Sequence, residues 1–66
     1  MIPDIGQHWL YVGPPTDKRV PDATYEVQRL IGETVWMIQL PHVPENVDWK
    51  GPVADLEDPA LWQFVR

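Results

Sequence analysis

The eight prolines are the feature that most constrains the fold of this 66-residue chain. Each proline removes a backbone hydrogen-bond donor and disfavours helix at the residue before it. The longest proline-free segment, residues 22–40, is the one place where a long helix would fit. That segment is rich in β-branched and aromatic residues, which favour strands, and Gly32 interrupts its helical pattern. The chain is therefore predicted to be mainly β.

A β-hairpin is predicted in the middle of the chain. In its first arm, Tyr25 and Val27 share one face, because side chains alternate between the two faces of a strand. The segment 31–34 supplies the turn, with Gly32 able to adopt a positive φ. Pro41 ends the second arm, since proline cannot donate to the hydrogen-bond ladder of a sheet. This hairpin is expected to organise the rest of the chain.

The second arm of the hairpin carries apolar side chains on both of its faces. Trp36, Ile38 and Leu40 form the alternating set that is apolar throughout, so we expect them to face the core. Val35 and Met37 then lie on a half-covered outer face, where they are surplus apolar surface for binding. If the strand has the opposite orientation, Trp36 is exposed instead and becomes the leading binding residue.

Shorter segments on either side of the hairpin predict further strands and one helical turn. Residues 7–12 and 47–51 are expected to be strands, and 13–22 a long polar loop that is a candidate binding loop. Near the C-terminus, Asp58 can cap a helical or 3-10 turn that begins at Pro59. All 66 residues are thus predicted to form a single domain of four to five short strands, arranged as a small barrel or a strongly bent antiparallel sheet.

Five short motifs span nearly the whole chain, in the order IGQHW, TYEV, VWMIQL, WKGP and DPALWQFVR. In this order they resemble the small SH3-like barrel proteins of bacteriophages and prophages. The resemblance implies an SH3-like barrel fold and a phage or actinobacterial origin. It carries over no catalytic residue, because this type of protein has no agreed catalytic motif.

Composition and charge exclude several classes of site and partner. The chain has no cysteine, so it has neither disulfides nor thiolate metal ligands. Its net charge is −5 and its five basic residues are scattered, which argues against binding to nucleic acid or to an anionic membrane. The N-terminal sequence does not resemble a signal peptide, and no apolar run approaches the ~20 residues of a membrane span. A cytoplasmic protein is therefore expected.

The inventory of reactive side chains argues against an enzyme. Serine and cysteine are absent, and none of the three threonines is next to a histidine in the sequence. His42, Glu45 and Asp48 have a spacing that would bring metal ligands together on a helix, but Pro41 and Pro44 disfavour a helix there. The sequence therefore predicts no catalytic residue, no metal site and no cofactor.

The leading functional hypothesis is a non-enzymatic module that binds another protein, in the form of a phage-encoded modulator of a host factor. Aromatic residues and methionine are enriched in the cores of protein interfaces, which motivates the choice of site. The predicted site is an apolar patch with loop residues at its rim, composed of Tyr11, Asp17, Lys18, Arg19, Val35, Trp36, Met37 and Trp49.

Two alternative functions follow from other features of the chain. Five of the ten acidic residues lie between Glu45 and Asp58, which would suit an acidic inhibitor occupying the nucleic-acid groove of a defence or transcription protein. Binding of that kind should weaken steeply with salt. The outer surface of Val35 and Met37 would instead suit a structural protein that forms a homodimer, which sedimentation would detect.

Overall fold

Short strands make up most of the regular structure, in agreement with the distribution of prolines along the chain. The structure, a computed structural model, describes residues 3–16 and 19–66. The described residues contain no α-helix, and none of their helical segments is long and apolar enough to cross a membrane. The elements, in chain order, are strands β1 (His8–Tyr11), β2 (Thr24–Ile31), β3 (Thr34–Gln39) and β4 (Trp49–Pro52), a 3-10 helix (Val53–Glu57) and strand β5 (Trp62–Phe64).

The five strands form one antiparallel sheet in the order β4-β3-β2-β1-β5. β4 and β5 are its edge strands, and the 3-10 helix between them in sequence packs against both. One short helix can contact both edges because the sheet curls into a half-barrel. The strands predicted at 7–12 and 47–51 correspond to β1 and β4. The predicted fold class, a mainly β and strongly bent antiparallel sheet with a 3-10 turn, is confirmed.

The predicted hairpin is formed by β2 and β3, which are joined by a tight turn at Gly32. Gly32 has a φ of +59°, a conformation that glycine adopts without steric cost. A β-bulge interrupts the pairing between Val27 and Arg29 and leaves Gln28 as the extra residue. Beyond the bulge, Arg29 pairs with Trp36 on β3. The bulge therefore determines which β2 side chain lies beside this tryptophan.

The inner face of the half-barrel is an aromatic core with Trp62 among three other rings. The Trp62 ring lies 5.1 Å from the ring of Tyr11 and 5.2 Å from those of Tyr25 and Trp49. Such pairs contribute ~0.5–1.5 kcal/mol each beyond the area that they bury, which helps a small chain without disulfides. The buried hydrophobic residues of the described chain are Trp9, Tyr11, Tyr25, Val27, Val35, Met37, Trp49, Leu56 and Trp62.

The orientation predicted for β3 is wrong. Val35 and Met37 are buried, with 0% and 1% of their surface exposed, whereas Trp36, Ile38 and Leu40 are partly exposed. Val35 and Met37 therefore belong to the core and offer no outer surface for pairing with a second copy. The opposite orientation holds, and it places Trp36 on the outside of the sheet.

The neighbouring strands decide this orientation. Trp36 pairs with Arg29 on β2 and with Lys50 on β4. Because directly opposed residues share a face of the sheet, an inward Trp36 would bring both cations into the core. Burying two unpaired charges costs far more than leaving an indole partly exposed. Met37, by contrast, lies between apolar residues on both neighbouring strands.

The helical turn near the C-terminus occurs earlier than predicted. The 3-10 helix ends at Glu57 instead of starting at Pro59. Asp58 Oδ1 accepts a hydrogen bond from the Ala60 N–H at 2.9 Å, which forms an Asx turn and not the cap of a following helix. The segment that follows is a turn, since Trp62 already pairs with β1 as the first residue of β5. Residues 59–61 form one hydrogen-bonded turn, in which the Asp58 carbonyl accepts from the N–H groups of Leu61 and Trp62 at 3.0 Å.

Candidate protein-binding face

The outer face of β2, β3 and β4 carries one of the four tryptophans. Trp9, Trp49 and Trp62 are buried in the core, with exposures of 5%, 6% and 2%, whereas Trp36 is partly exposed. The strand pairing and the alternation of side chains place four further residues around this ring on the same face. The resulting surface, named here the outer patch, consists of Arg29, Ile31, Trp36, Ile38 and Lys50.

Two cations flank the Trp36 ring. The guanidinium carbon of Arg29 lies 5.4 Å from the ring centroid, and Lys50 Nζ lies 5.5 Å from it. Both distances fall within the ~6 Å range of cation–π interactions. Arg29 and Lys50 come from the strands on either side of β3, so the indole is contacted from two directions. These contacts restrict the rotamers of Trp36.

No carboxylate of the described residues neutralises either cation of the outer patch. Within the part of the chain that the structure describes, the one salt bridge joins His8 Nε2 to Glu26 Oε2 at 3.0 Å. No carboxylate oxygen of that part lies within 4.0 Å of the charged nitrogens of Arg29 or Lys50. The sequence has ten acidic and five basic residues, so potential partners for these cations are plentiful. The outer patch is thus a small positive area on an acidic protein.

Next to the outer patch, the carboxylate of Glu26 is engaged by neighbouring side chains. Its Oε1 accepts a hydrogen bond from Gln28 Nε2 at 2.7 Å, and its Oε2 pairs with His8. Arg66 Nε lies 3.5 Å from His8 Nδ1. Glu26 thus has two partners of its own, and Arg29 is not among them.

The residues predicted to form one binding patch do not share one surface. Trp36 lies in the outer patch, and Asp17 and Lys18 lie outside the described residues. Four others are buried in the core: Tyr11, Val35, Met37 and Trp49. Trp36 is therefore the one predicted residue that the outer patch contains.

The loop 13–22 packs against the core through Arg19, the remaining predicted site residue. The Arg19 guanidinium carbon lies 4.9 Å from the ring centroid of Tyr11 and 5.4 Å from that of Trp49. Tyr11 Oη also donates a hydrogen bond to the Pro14 carbonyl at 2.6 Å. These contacts anchor the loop over one end of the aromatic core, so Arg19 has a structural role there.

A groove of about 330 Å³ between the 3-10 helix and β5 is lined by Trp9, Leu56, Glu57, Pro59, Trp62 and Phe64. The indole nitrogens of Trp9 and Trp62 are shielded from solvent, and neither has a hydrogen-bond partner among residues 3–16 and 19–66. A shielded indole N–H can donate weakly to a ring face, and three rings surround Trp62. Because neither donor is accessible, the groove offers a ligand apolar contact and the carboxylate of Glu57.

Sequence reasoning missed four residues of the outer patch as site residues: Arg29, Ile31, Ile38 and Lys50. Their proximity depends on the bulge in β2 and on the register of β4, which leave little trace in a single sequence. One signal was available for Lys50. It follows Trp49 in a short strand, so a buried Trp49 requires Lys50 to face outward.

Comparisons with known proteins add no information on this site. The chain finds no match among protein-family models, curated proteins or solved structures. Within residues 3–16 and 19–66, no group of three or more His, Asp or Glu side chains could hold a metal ion. The outer patch is therefore interpreted from its own geometry and charge.

Proposed function

We propose that this protein is a non-enzymatic interaction module that binds another protein through the outer patch. The observation that carries the proposal is the partial exposure of Trp36, while the other three tryptophans are buried in the core. Tryptophan and arginine are among the residues most enriched at the positions that dominate binding energy in interfaces. Ile31, which is 52% exposed, and the partly exposed Ile38 extend the apolar surface around the ring.

The position of the outer patch within the sheet favours binding. β3 pairs with a strand on each side, so the backbone beneath Trp36 is fixed. The two flanking cations restrict the ring further. Side chains that are ordered before binding lose less conformational entropy in the complex, which raises the affinity.

The size of the protein sets how much of its surface a partner covers. Its accessible surface is 4232 Å². A standard interface buries about 800 Å² on each partner, which is roughly a fifth of that surface. The partner is therefore expected to cover the outer face of β2, β3 and β4 as a whole, with Trp36 near the centre of the contact.

The resemblance to small phage barrels supports a narrower form of the proposal. In that form, the protein is a phage-encoded modulator that acts in the cytoplasm, and its partner is a host protein. A chain without serine or cysteine has few groups for covalent chemistry. Such a modulator acts by occupying a surface of its partner.

Binding of the natural partner to two variants tests the proposal. The partner is captured with the tagged protein from a host lysate, identified, purified and titrated by calorimetry. Trp36→Ala should weaken binding at least about 30-fold, which corresponds to the ~2 kcal/mol loss of a dominant interface residue. Val20→Ala removes an exposed apolar side chain elsewhere and should bind like the wild type. Wild-type affinity in a folded Trp36→Ala variant would contradict the proposal.

A further inference from the structure

The two unpaired cations of the outer patch indicate the chemistry of the partner. No carboxylate oxygen of the described residues lies within 4.0 Å of the charged nitrogens of Arg29 or Lys50. A partner that covered these cations without neutralising them would desolvate two charges, which is unfavourable. We propose that the partner covers the outer patch with an acidic amphipathic helix, whose carboxylates pair with both cations and whose apolar side chains contact Trp36. This inference rests on the proposed function.

The spacing of the two cations favours a helix over an extended segment. Arg29 and Lys50 belong to β2 and β4, which are two strand spacings apart, or roughly 10 Å. Residues i and i+7 of a helix share a face and are separated by ~10.5 Å along its axis. Residues on one face of an extended strand are separated by ~7 or ~14 Å, which fits the cations less well. A helix that crosses the three strands would therefore bring one carboxylate to each cation.

The middle of the same helix accounts for Trp36. Positions i+3 and i+4 lie on the face between the two acidic residues, so their side chains would contact the indole. Ile31 and Ile38 border the ring on the outer face and would widen this apolar contact. The expected partner segment therefore has Asp or Glu at i and i+7 and apolar residues at i+3 and i+4.

The surroundings of the outer patch disfavour nucleic acid as its occupant. A nucleic acid presents a continuous row of phosphates, and its affinity grows with the number of phosphates that cations neutralise. The outer patch has only two cations. The same hairpin also carries two acidic residues, Glu26 on β2 and Glu33 in the turn. The net charge of −5 would repel the rest of a polyanion. A short acidic helix avoids this repulsion because its negative charges lie only opposite the two cations.

The probe for this inference is a display library of helical peptides with randomised surface positions, selected on the purified 66-residue protein. We expect enrichment of Asp or Glu at two positions seven residues apart, with apolar residues between them. The affinity of an enriched peptide should fall about three- to tenfold in Arg29→Gln and in Lys50→Gln, and it should also weaken with added salt. Arg66→Gln changes the net charge equally and lies outside the outer patch, so its affinity should match the wild type.

Several outcomes would overturn the acidic helix. They are a selection that yields no binder, enriched peptides that lack the acidic pair, and unchanged affinity in both Gln variants. A single-stranded oligonucleotide that competes with the peptide and depends on the same two cations would identify a polyanion site instead. Circular dichroism of the Gln variants verifies that they are folded.

The natural partner separates failure of this inference from failure of the proposed function. If Trp36→Ala abolishes its binding while Arg29→Gln and Lys50→Gln leave it unchanged, the interaction face stands and the acidic helix is wrong. If Trp36→Ala binds the natural partner like the wild type, the proposed function itself is wrong, whatever the peptides show.

Discussion

The two faces of β3 present apolar side chains to different environments. Val35 and Met37 face the core and are fully buried, whereas Trp36 and Ile38 face outward and are partly exposed. All four are hydrophobic, so the strand's own composition does not decide which pair is buried. The inner pair is determined by β2 and β4, which set cations beside Trp36. The orientation of a central strand is thus a property of three strands together.

The inner face also differs from the outer face in its packing. On β4, a methyl group added at Gly51 would collide with the ring of Trp49. At Gly13, an added methyl group would lie 2.7 Å from Tyr11 Oη. A close-packed interior responds to changes of a single methylene, whereas side chains that end in solvent tolerate them. Substitutions on the two faces of β3 should therefore have very different effects on stability.

The largest expected effect is the contrast between Met37→Ala and Trp36→Ala in the free energy of unfolding. Truncation of the buried Met37 leaves a cavity in the core and should cost about 2–5 kcal/mol. Trp36→Ala removes a partly exposed ring and two cation–π contacts, and it should cost about 1–2 kcal/mol. Urea denaturation followed by far-ultraviolet circular dichroism measures both variants without relying on tryptophan fluorescence.

Ile38→Ala provides the matched control on the outer face. It removes a partly exposed side chain two residues from Trp36 and should cost less than Met37→Ala. A larger loss of stability in Trp36→Ala than in Met37→Ala would contradict the comparison. That result would restore the orientation in which Trp36, Ile38 and Leu40 face the core.

Much of the fold could be predicted because it depends on residues that are close in sequence. The prolines exclude long helices from most of the chain through their own backbone chemistry. Gly32 marks the hairpin because its positive φ is a local requirement of the turn. The alternation of residues 7–12 likewise predicts a strand without any knowledge of its neighbours.

The outer patch could not be predicted because it is assembled from distant residues. Trp36 meets Arg29 across a bulged hairpin and Lys50 across the long connection from β3 to β4. The predicted position of the helical turn is wrong for a related reason. Asp58 followed by Pro59 is a local helix signal, but the chain makes a single turn there before Trp62 pairs with β1.

A charge on the inner face should lower the stability of the fold, as added volume does. Ionisation of the buried Tyr25 tests this expectation. Burial raises the pKa of its phenol above the usual value, although the hydrogen bond from the Val20 N–H and the nearby Arg19 oppose the shift. In the unfolded chain the phenol ionises near pH 10, earlier than in the folded protein. The stabilising contribution of neutral Tyr25 is therefore complete below about pH 10 and is lost as the pH rises through the folded-state pKa.

Urea denaturation at about pH 8 and about pH 11 measures this contribution. Between these values, the wild type should lose more stability than Tyr25→Phe, in which residue 25 cannot ionise. The two proteins are otherwise identical, so contributions from the rest of the chain largely cancel in the difference. Equal losses in the two proteins would show that the inner face accommodates a phenolate at this position.

The smallest expected effect concerns the two cations of the outer patch. Arg29→Met and Lys50→Met remove a charge but keep much of the apolar stem beside Trp36. Each should lower the free energy of unfolding by about 0.5–1 kcal/mol, the usual contribution of an exposed cation–π contact. A loss above about 2 kcal/mol in the same urea denaturation would show that the cations chiefly support the sheet. A loss within the expected range would mean that the fold gains little from two unpaired charges, so that pairing with a partner is the better reason for their position.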